Sequence, residues 1–142
     1  MDPARPLPGS GPMFDRIATR YDYLNRLISL GSDGGWRRAA VCALELRDGA
    51  RVLDVATGTG DLAIAVARRH PTARLVGVDP SPGMLAVGQA KLVRLGLHER
   101  IEFVLGDARA LPFAAGSFDA ACMAFGIRNV PERPRALLEI RR

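Results

Sequence analysis

Lysine is almost absent from this chain: Lys91 stands alone beside nineteen arginines in 142 residues. Cysteine is nearly as scarce. Cys42 and Cys122 are the two, far apart in apolar segments with neither a CxxC spacing nor a histidine beside them. A disulfide framework and a metal site are therefore not expected, and both thiols read as small buried hydrophobes. Aromatics are few, with five Phe, two Tyr and one Trp. No RNP-type aromatic motif, recognition helix or polybasic block is present, so nucleic acid is not an expected partner despite a formal charge of +5. The arginines are scattered among acids and read as a solvated surface. No run of about eighteen apolar residues exists to span a membrane. The opening MDPARPLPGSGP has no apolar signal-peptide core, which points to a cytoplasmic location.

What is present describes a globular chain with one core. Hydrophobic residues make up 48% and charged residues 25%, a balance that excludes a mainly disordered chain. Fifteen glycines and ten prolines punctuate short elements and exclude a long coiled coil or an all-helical bundle. Residues 1–12 read as a flexible arm. Met13, Phe14, Ile17, Tyr21, Leu24 and Ile28 then recur at helical spacing, predicting a helix that stops near Gly31. The SDGG at 32–35 predicts a turn, with Gly31, Gly34 and Gly35 as loop residues, before a second helix from Trp36 to about Asp48–Gly49. These two helices make a cap over 13–49. Beyond it the period alternates. Strands are predicted at 51–56, 75–79, 101–105 and 118–125, and helices at 61–69, 83–95 and from 132 onward. The connection 106–117 is too short and too rich in Pro and Gly for a full helix. This is the pattern of an α/β fold with a parallel sheet and helical crossovers. The first helix either covers an edge of the core or roofs the cleft above the strand ends, the second option placing Phe14 and Tyr21 beside a ligand.

The chemistry concentrates at three strand ends. In VLDVATGTGDLA, residues 52–63, a strand runs into Gly58-Thr59-Gly60 and then a helix. Such a turn lets backbone approach a ligand, and the helix start offers unpaired N–H groups. Spacing alone also fits a dinucleotide fingerprint. Asp54 before the turn and Asp61 just after it place carboxylates where a pyrophosphate would lie, an arrangement that favours the cationic S-adenosylmethionine over NAD. Asp61 as a helix cap is compatible with either. Asp79 closes the second strand and suits a ribose; a cap for the turn at Pro80–Gly83 is its simpler role. Asp107, in Gly106-Asp107-Ala108, suits the adenine amine. Parallel strands bring all three acids to one crevice.

Taken together, MFDRIATRYDYLNRLISLG at 13–31, VLDVATGTGDLA at 52–63, GVDPSPGML at 77–85, DARALPFAAGSFDA at 107–120 and FGIRNVPERPRALLEI at 125–140 resemble the bacterial quinone-biosynthesis C-methyltransferases. The resemblance implies a Rossmann-like class I methyltransferase fold with strand order 3-2-1-4 behind two N-terminal helices. It implies S-adenosylmethionine as cofactor and methylation of a demethylmenaquinol, or of a ubiquinone precursor, as activity. Asp54, Gly58, Thr59 and Gly60 would surround the methionine part, Asp79 the ribose, and Met84, Asp107 and Ala108 the adenine. Phe14, Tyr21, Phe125, Arg128 and Asn129 would face a lipophilic quinol. Two residues would assist the chemistry: Arg128 by stabilising phenolate, an ion pair with Glu132 being its alternative role, and Tyr21 by reaching a quinol hydroxyl, with packing beside Phe14 the alternative.

The family has serine before FG in many members where this chain has Ala124, so no hydroxyl contact carries over. A proline common in the first block is Thr19 here. His70 and His98 read as surface or structural, and no general base stands out. The family's fold continues beyond the fourth strand, so 50–142 is expected to form a cofactor-binding half-domain without the later strands. An exposed strand edge would then invite a homodimer. The stripe on the first helix with Arg16, Arg20 and Arg26 suits transient contact with an anionic membrane face, packing on the core being the alternative. The competing functions are an O- or N-methyltransferase of small molecules, a cofactor-binding fragment without turnover, and an NAD-dependent dehydrogenase.

Overall fold

A computed structural model describes residues 11–28, 33–124 and 126–142. Helices α1 (Gly11–Ile28) and α2 (Asp33–Cys42) precede strand β1 (Arg51–Val55) and helix α3 (Asp61–Arg69). Strand β2 (Arg74–Asp79), helix α4 (Pro82–Leu95), strands β3 (Ile101–Leu105) and β4 (Ala120–Cys122), a 3₁₀ turn at Gly126–Asn129 and helix α5 (Arg133–Arg141) follow. The strands form one sheet in the order β3-β2-β1-β4, all parallel. The predicted order is thus observed. Most of the predicted arm lies outside the described residues, and α1 already includes Gly11 and Pro12.

Both faces of the sheet are covered, which is why β1 and β2 are apolar nearly throughout. Side chains alternate between the two layers. Val52, Leu75 and Ile101 meet α2, α3 and α4 through Val41, Leu62, Val66 and Leu92. Leu53, Val55, Val76 and Val78 meet Ala108, Leu111 and Ala136 on the opposite face. Local signals set α4: Ser81 caps it by accepting from the Met84 amide at 3.1 Å, Pro82 opens it, and Gly96 ends it at φ 67°. The end of α3 is closed from a distance. Arg100 Nη2 donates to the carbonyls of Ala67, His70 and Ala73 at 2.9, 2.8 and 3.0 Å.

Several predicted boundaries need correction. The second helix begins earlier, so Gly34 and Gly35 lie in its first turn rather than in a loop, where few intrahelical bonds depend on them. It ends at Cys42 instead of 48–49 because Leu44 and Leu46 enter the core from an extended segment while Glu45 and Arg47 stay exposed. Cys42 is exposed, not buried, since Val41 beside it takes the core-facing position; Cys122 is half-buried. The fourth strand is three residues, not the predicted 118–125. Its partner β1 stops at Val55, and Ala56 turns the chain away at φ 53°. The 106–117 connection forms no helix, as expected, and holds a bridge between Asp107 and Ala110.

A single aromatic ring fixes β3 against its neighbours. A Cβ on Gly60, Gly77 or Gly88 would lie 2.4, 2.7 or 2.7 Å from the Phe103 ring, so three elements leave a slot that only glycines permit. Gly77→Ala should destabilise the chain by about 2 kcal/mol in urea unfolding, because its methyl also meets Thr57 Cγ2 at 2.8 Å. Phe103→Leu in the same chain should recover part of that loss; strictly additive costs would show that the ring is not the obstacle.

Candidate functional site

The turn from β1 to α3 needs an unusual backbone. Ala56, Gly58 and Gly60 have φ of 53°, 58° and 86°, a conformation that glycine adopts freely and that Ala56 adopts under strain. The Thr57 amide donates to Val78 O at 3.0 Å and the Gly60 amide to Thr57 O at 2.9 Å, closing the turn over the end of β2. Beneath it lies Asp54, 1% exposed. Its Oδ2 accepts from Thr57 Oγ1 at 2.6 Å and from the Ala63 amide at 3.2 Å. Asp54 therefore ties β1 to its own turn and to the first turn of α3. Burial pushes its carboxyl up to about 7, only partly opposed by the Thr57 and Ala63 bonds, and the Asp79 charge adds to the rise. Burial likewise pushes the Cys122 thiol up, reinforced by Asp54.

Asp79 holds the same turn from β2. Its Oδ2 accepts from the Gly58 amide at 2.8 Å and its Oδ1 from the Ser81 amide at 2.9 Å. Burial raises its pKa, with the two amide bonds opposing and Asp15 adding to the rise. Met84 is buried with its Cε 3.2 Å from where a Gly58 Cβ would stand. The turn and Met84 thus make a cradle that a side chain at 58 would fill, as binding of a flat ligand against backbone requires. Asp107 is engaged differently. Arg109 grips it through Nε at 3.0 and 3.1 Å, Nη2 at 2.6 Å and the backbone amide at 2.8 Å, so an adenine amine there would compete with a guanidinium. Burial pushes the Asp107 carboxyl up, but the Arg109 bonds outweigh it and hold the group below its ordinary range. Ala108 beside it is buried in the core.

The first helix reaches the turns that follow β1 and β2, the position expected of a roof over the strand ends. It lies along α4, and its Asp15 Oδ1 accepts from Ser81 Oγ at 2.6 Å and the Gly83 amide at 2.8 Å. Asp22 Oδ1 accepts from Thr59 Oγ1 at 2.6 Å. Phe14 and Tyr21 meet edge to face with centroids 5.8 Å apart, the packing arrangement named above for Tyr21. On the other side, Gly126 presses on the bend at Ala56, whose Cβ would lie 2.3 Å from a Cβ at 126. The turn carrying Arg128 and Asn129, both exposed, is thereby stacked on the start of the glycine turn. The Arg128 carbonyl accepts from Arg133 Nη2 at 3.2 Å, and Glu132 pairs with Arg109 at 2.9 Å. Phe125 lies outside the described residues. His70 and His98 sit at the opposite ends of the strands, away from this cleft. His70 ends α3, and its carbonyl accepts from Arg100.

Sequence reasoning passed over Asp15, Asp22, Lys91 and Ser81 as parts of this site. Lys91 Nζ donates to Asp22 Oδ2, Thr59 Oγ1 and Asp61 Oδ1 at 2.6, 2.8 and 2.6 Å. Arg37 lies 3.6 Å from Asp61 as well. Asp61 is therefore ion-paired, and Gly60 rather than Asp61 occupies the cap position of α3. Charge repulsion discriminates against pyrophosphate less than the sequence suggested. A different obstacle replaces it. The Ala63 amide is taken by Asp54 and the Gly60 amide by Thr57 O, which depletes the donors that a phosphate would seek at the start of α3. The one available hint of Lys91's place was its rarity.

The sheet order, with a glycine turn after β1 and acids at the ends of β1 and β2, is that of the class I S-adenosylmethionine-dependent methyltransferases among the solved structures it superposes on. A putative enzyme of that class from Methanococcus maripaludis superposes with a TM-score of 0.78 at 19% identity, over 90% of this chain and 57% of that one. A methyltransferase from Geobacter sulfurreducens, solved with S-adenosyl-L-homocysteine, superposes at 0.61 with 25% identity, over 76% of this chain and 44% of that one. The model of the ubiE/COQ5 methyltransferase family matches residues 10–142, and the chain belongs to that family. The ubiquinone/menaquinone biosynthesis C-methyltransferase UbiE of Syntrophotalea carbinolica is 50% identical over 138 residues, 97% of this chain and 57% of the relative. The demethylmenaquinone methyltransferase of Thermus thermophilus is 49% identical over 130 residues, 92% of this chain and 58% of the relative. The chain spans about half the length of the curated relatives it matches. Among the described residues no helix is long and apolar enough to cross a membrane.

Asp54 makes stability depend on pH in a defined direction. Its folded pKa of about 7 exceeds the ordinary 3.8, so the folded chain binds the proton more tightly. That contribution is complete below about pH 4 and is lost as pH rises through 7. Asp54→Asn removes it. Urea unfolding of both chains should show the variant gaining on the wild type by about 4 kcal/mol between pH 4 and pH 8; a constant difference would mean that the buried carboxyl titrates normally.

Proposed function

We propose that the protein takes part in S-adenosylmethionine-dependent C-methylation of a demethylmenaquinol, or of a related ubiquinone precursor, in quinone biosynthesis. The observation that carries this reading is the cradle of Gly58, Gly60 and Met84 over two buried carboxylates, in a chain of the ubiE/COQ5 family. When bound, the cofactor supplies an electrophilic methyl group on a sulfonium. Gly58 and Gly60 let backbone approach it, and Met84 gives it an apolar wall. Asp79 keeps lone pairs for ribose hydroxyls beyond the two amides it already accepts. A ring carbon of the quinol would accept that methyl group and give up its own proton in exchange. The protein's task is then to align the quinol ring and keep water out.

The acceptor would lie between α1 and the turn at Gly126–Asn129. Tyr21 and Phe14 offer an aromatic wall on the roof side, and Asn129 an amide on the other. Arg128 would stabilise negative charge on a quinol oxygen as the ring carbon becomes nucleophilic. S-adenosylmethionine also fits the electrostatics at α3 better than NAD does, because it brings no phosphate to a helix start whose amides are partly taken.

Calorimetric titration of the folded chain tests the cofactor. S-adenosylhomocysteine should bind saturably and NADH should not; the reverse preference would support a dehydrogenase and overturn this reading. Arg128→Ala should lower kcat on a demethylmenaquinol at least tenfold with little change in KM, a conservative share of what removing one stabilising charge costs. A loss of twofold or less would remove Arg128 from the chemistry.

A further inference from the structure

Lys91 sits where three parts of the site converge. Its helix α4 turns the residues at 84, 88 and 91 toward the glycine turn: Met84 faces Gly58, Gly88 faces the Thr59 backbone, and Lys91 reaches the Thr59 hydroxyl and Asp61. A Cβ on Gly88 would lie only 3.0 Å from Thr59 O. Opposite, α1 presents Asp15, Ala18 and Asp22 on one face. Ala18 is buried, Asp15 holds the Ser81–Gly83 turn, and Asp22 holds Thr59 and Lys91. The roof helix thus touches both turns that frame the cradle, one through each carboxylate.

The chemistry of the contact explains the choice of residue. Lys91 Nζ has three acceptors, on α1, on the glycine turn and on α3, and an ammonium carries three tetrahedral N–H groups. Each acceptor can thus have an N–H of its own, whereas a terminal guanidinium nitrogen carries only two. The Lys91 side chain is 13% exposed, so its charge is poorly solvated and depends on Asp22 and Asp61 for compensation. Thr59 Oγ1 donates to Asp22 and accepts from Lys91, which ties its side chain to α1 and α4. Moving α1 away would strip Asp22 from both groups at once.

We infer that Lys91 is a positioning residue that couples the seating of α1 to the conformation of the glycine turn, so that the roof over the acceptor site and the cofactor cradle close together. This rests on the reading that the cradle takes the adenosyl cofactor. Cofactor binding fixes the glycine turn, the fixed Thr59 and Asp61 hold Lys91, and Lys91 with Thr59 holds Asp22 of the roof. The order is reversible: a seated roof raises affinity for the cofactor by the same factor.

The test uses the 142-residue chain, S-adenosylhomocysteine as the probe, calorimetry for affinity and hydrogen exchange for each segment. In the wild type the probe should slow exchange both at 57–62 and along 11–28. Lys91→Met should weaken binding at least fivefold, and whatever probe it still binds should protect 57–62 without protecting 11–28. Asp22→Asn leaves the Lys91–Asp61 pair in place; if Lys91→Met does not fold, this variant carries the test through the same loss of protection over 11–28. A wild type that does not bind the probe would overturn the cofactor reading beneath the proposal. A wild type that binds it, with variants that match it in affinity and in protection of 11–28, would overturn the coupling alone. The split between the two segments separates positioning from a merely structural role, which would loosen both alike.

Discussion

The close approach of backbones around the β1–α3 turn is the constraint on which the rest of the molecule depends. Three left-handed residues within five positions bring the chain back over its own strand, and they leave no room for side chains on the facing sides. Everything nearby is then recruited to satisfy polar groups that the turn buries. From below, Asp79 accepts the Gly58 amide and Asp54 the Thr57 hydroxyl and the Ala63 amide of α3; the Thr59 hydroxyl is held from above, and Met84, Gly88 and Phe103 close the flanks. A turn of this kind without its carboxylates would carry unpaired buried amides, each a cost of roughly 1–3 kcal/mol. The acids that mark the site in the sequence are thus also the acids that keep it folded.

This double duty explains how the site could be read before the fold was known. Asp54, Asp79 and Asp107 are legible because strand periodicity places them at the carboxyl ends of consecutive parallel strands, which topology brings together. Gly58 and Gly60 are legible because a strand-to-helix reversal requires their φ values. The absence of a helix at 106–117 follows from the same local logic, whereas the sheet order comes from the family resemblance. What was not legible depends on distant partners. Cys42 is exposed because of how α2 seats Val41, and β4 is short because Ala56 turns β1 away from it. Arg109 takes Asp107, although the two residues are neighbours, because the guanidinium is fixed by Glu132 on a later turn. Asp15 and Asp22 find partners far along the chain, at separations where no spacing rule operates.

The arginine excess also acquires a physical meaning in several places. Arg100 closes the end of α3 with one guanidinium nitrogen that reaches three carbonyls, and Arg47 fixes Asp119 beside the start of β1. Both uses suit a rigid planar group with several donors. Coding preference and structural use are compatible explanations for exposed arginines. The one lysine stands where three side-chain acceptors meet a single ammonium.

The contact between Gly126 and Ala56 has a consequence for distance. A reaction between two bound molecules needs them held at a fixed separation, since an error of a fraction of an ångström is costly in rate. One side of the cleft is carried by the glycine turn, which starts at Ala56, and the other by the turn that starts at Gly126. Because a Cβ at Gly126 would meet the Ala56 methyl first, with the Met123 side chain next at 3.6 Å, that methyl acts as a spacer. The gauge of the cleft is set by the smallest side chain that has a size at all, and a residue one carbon larger at either position would reset it.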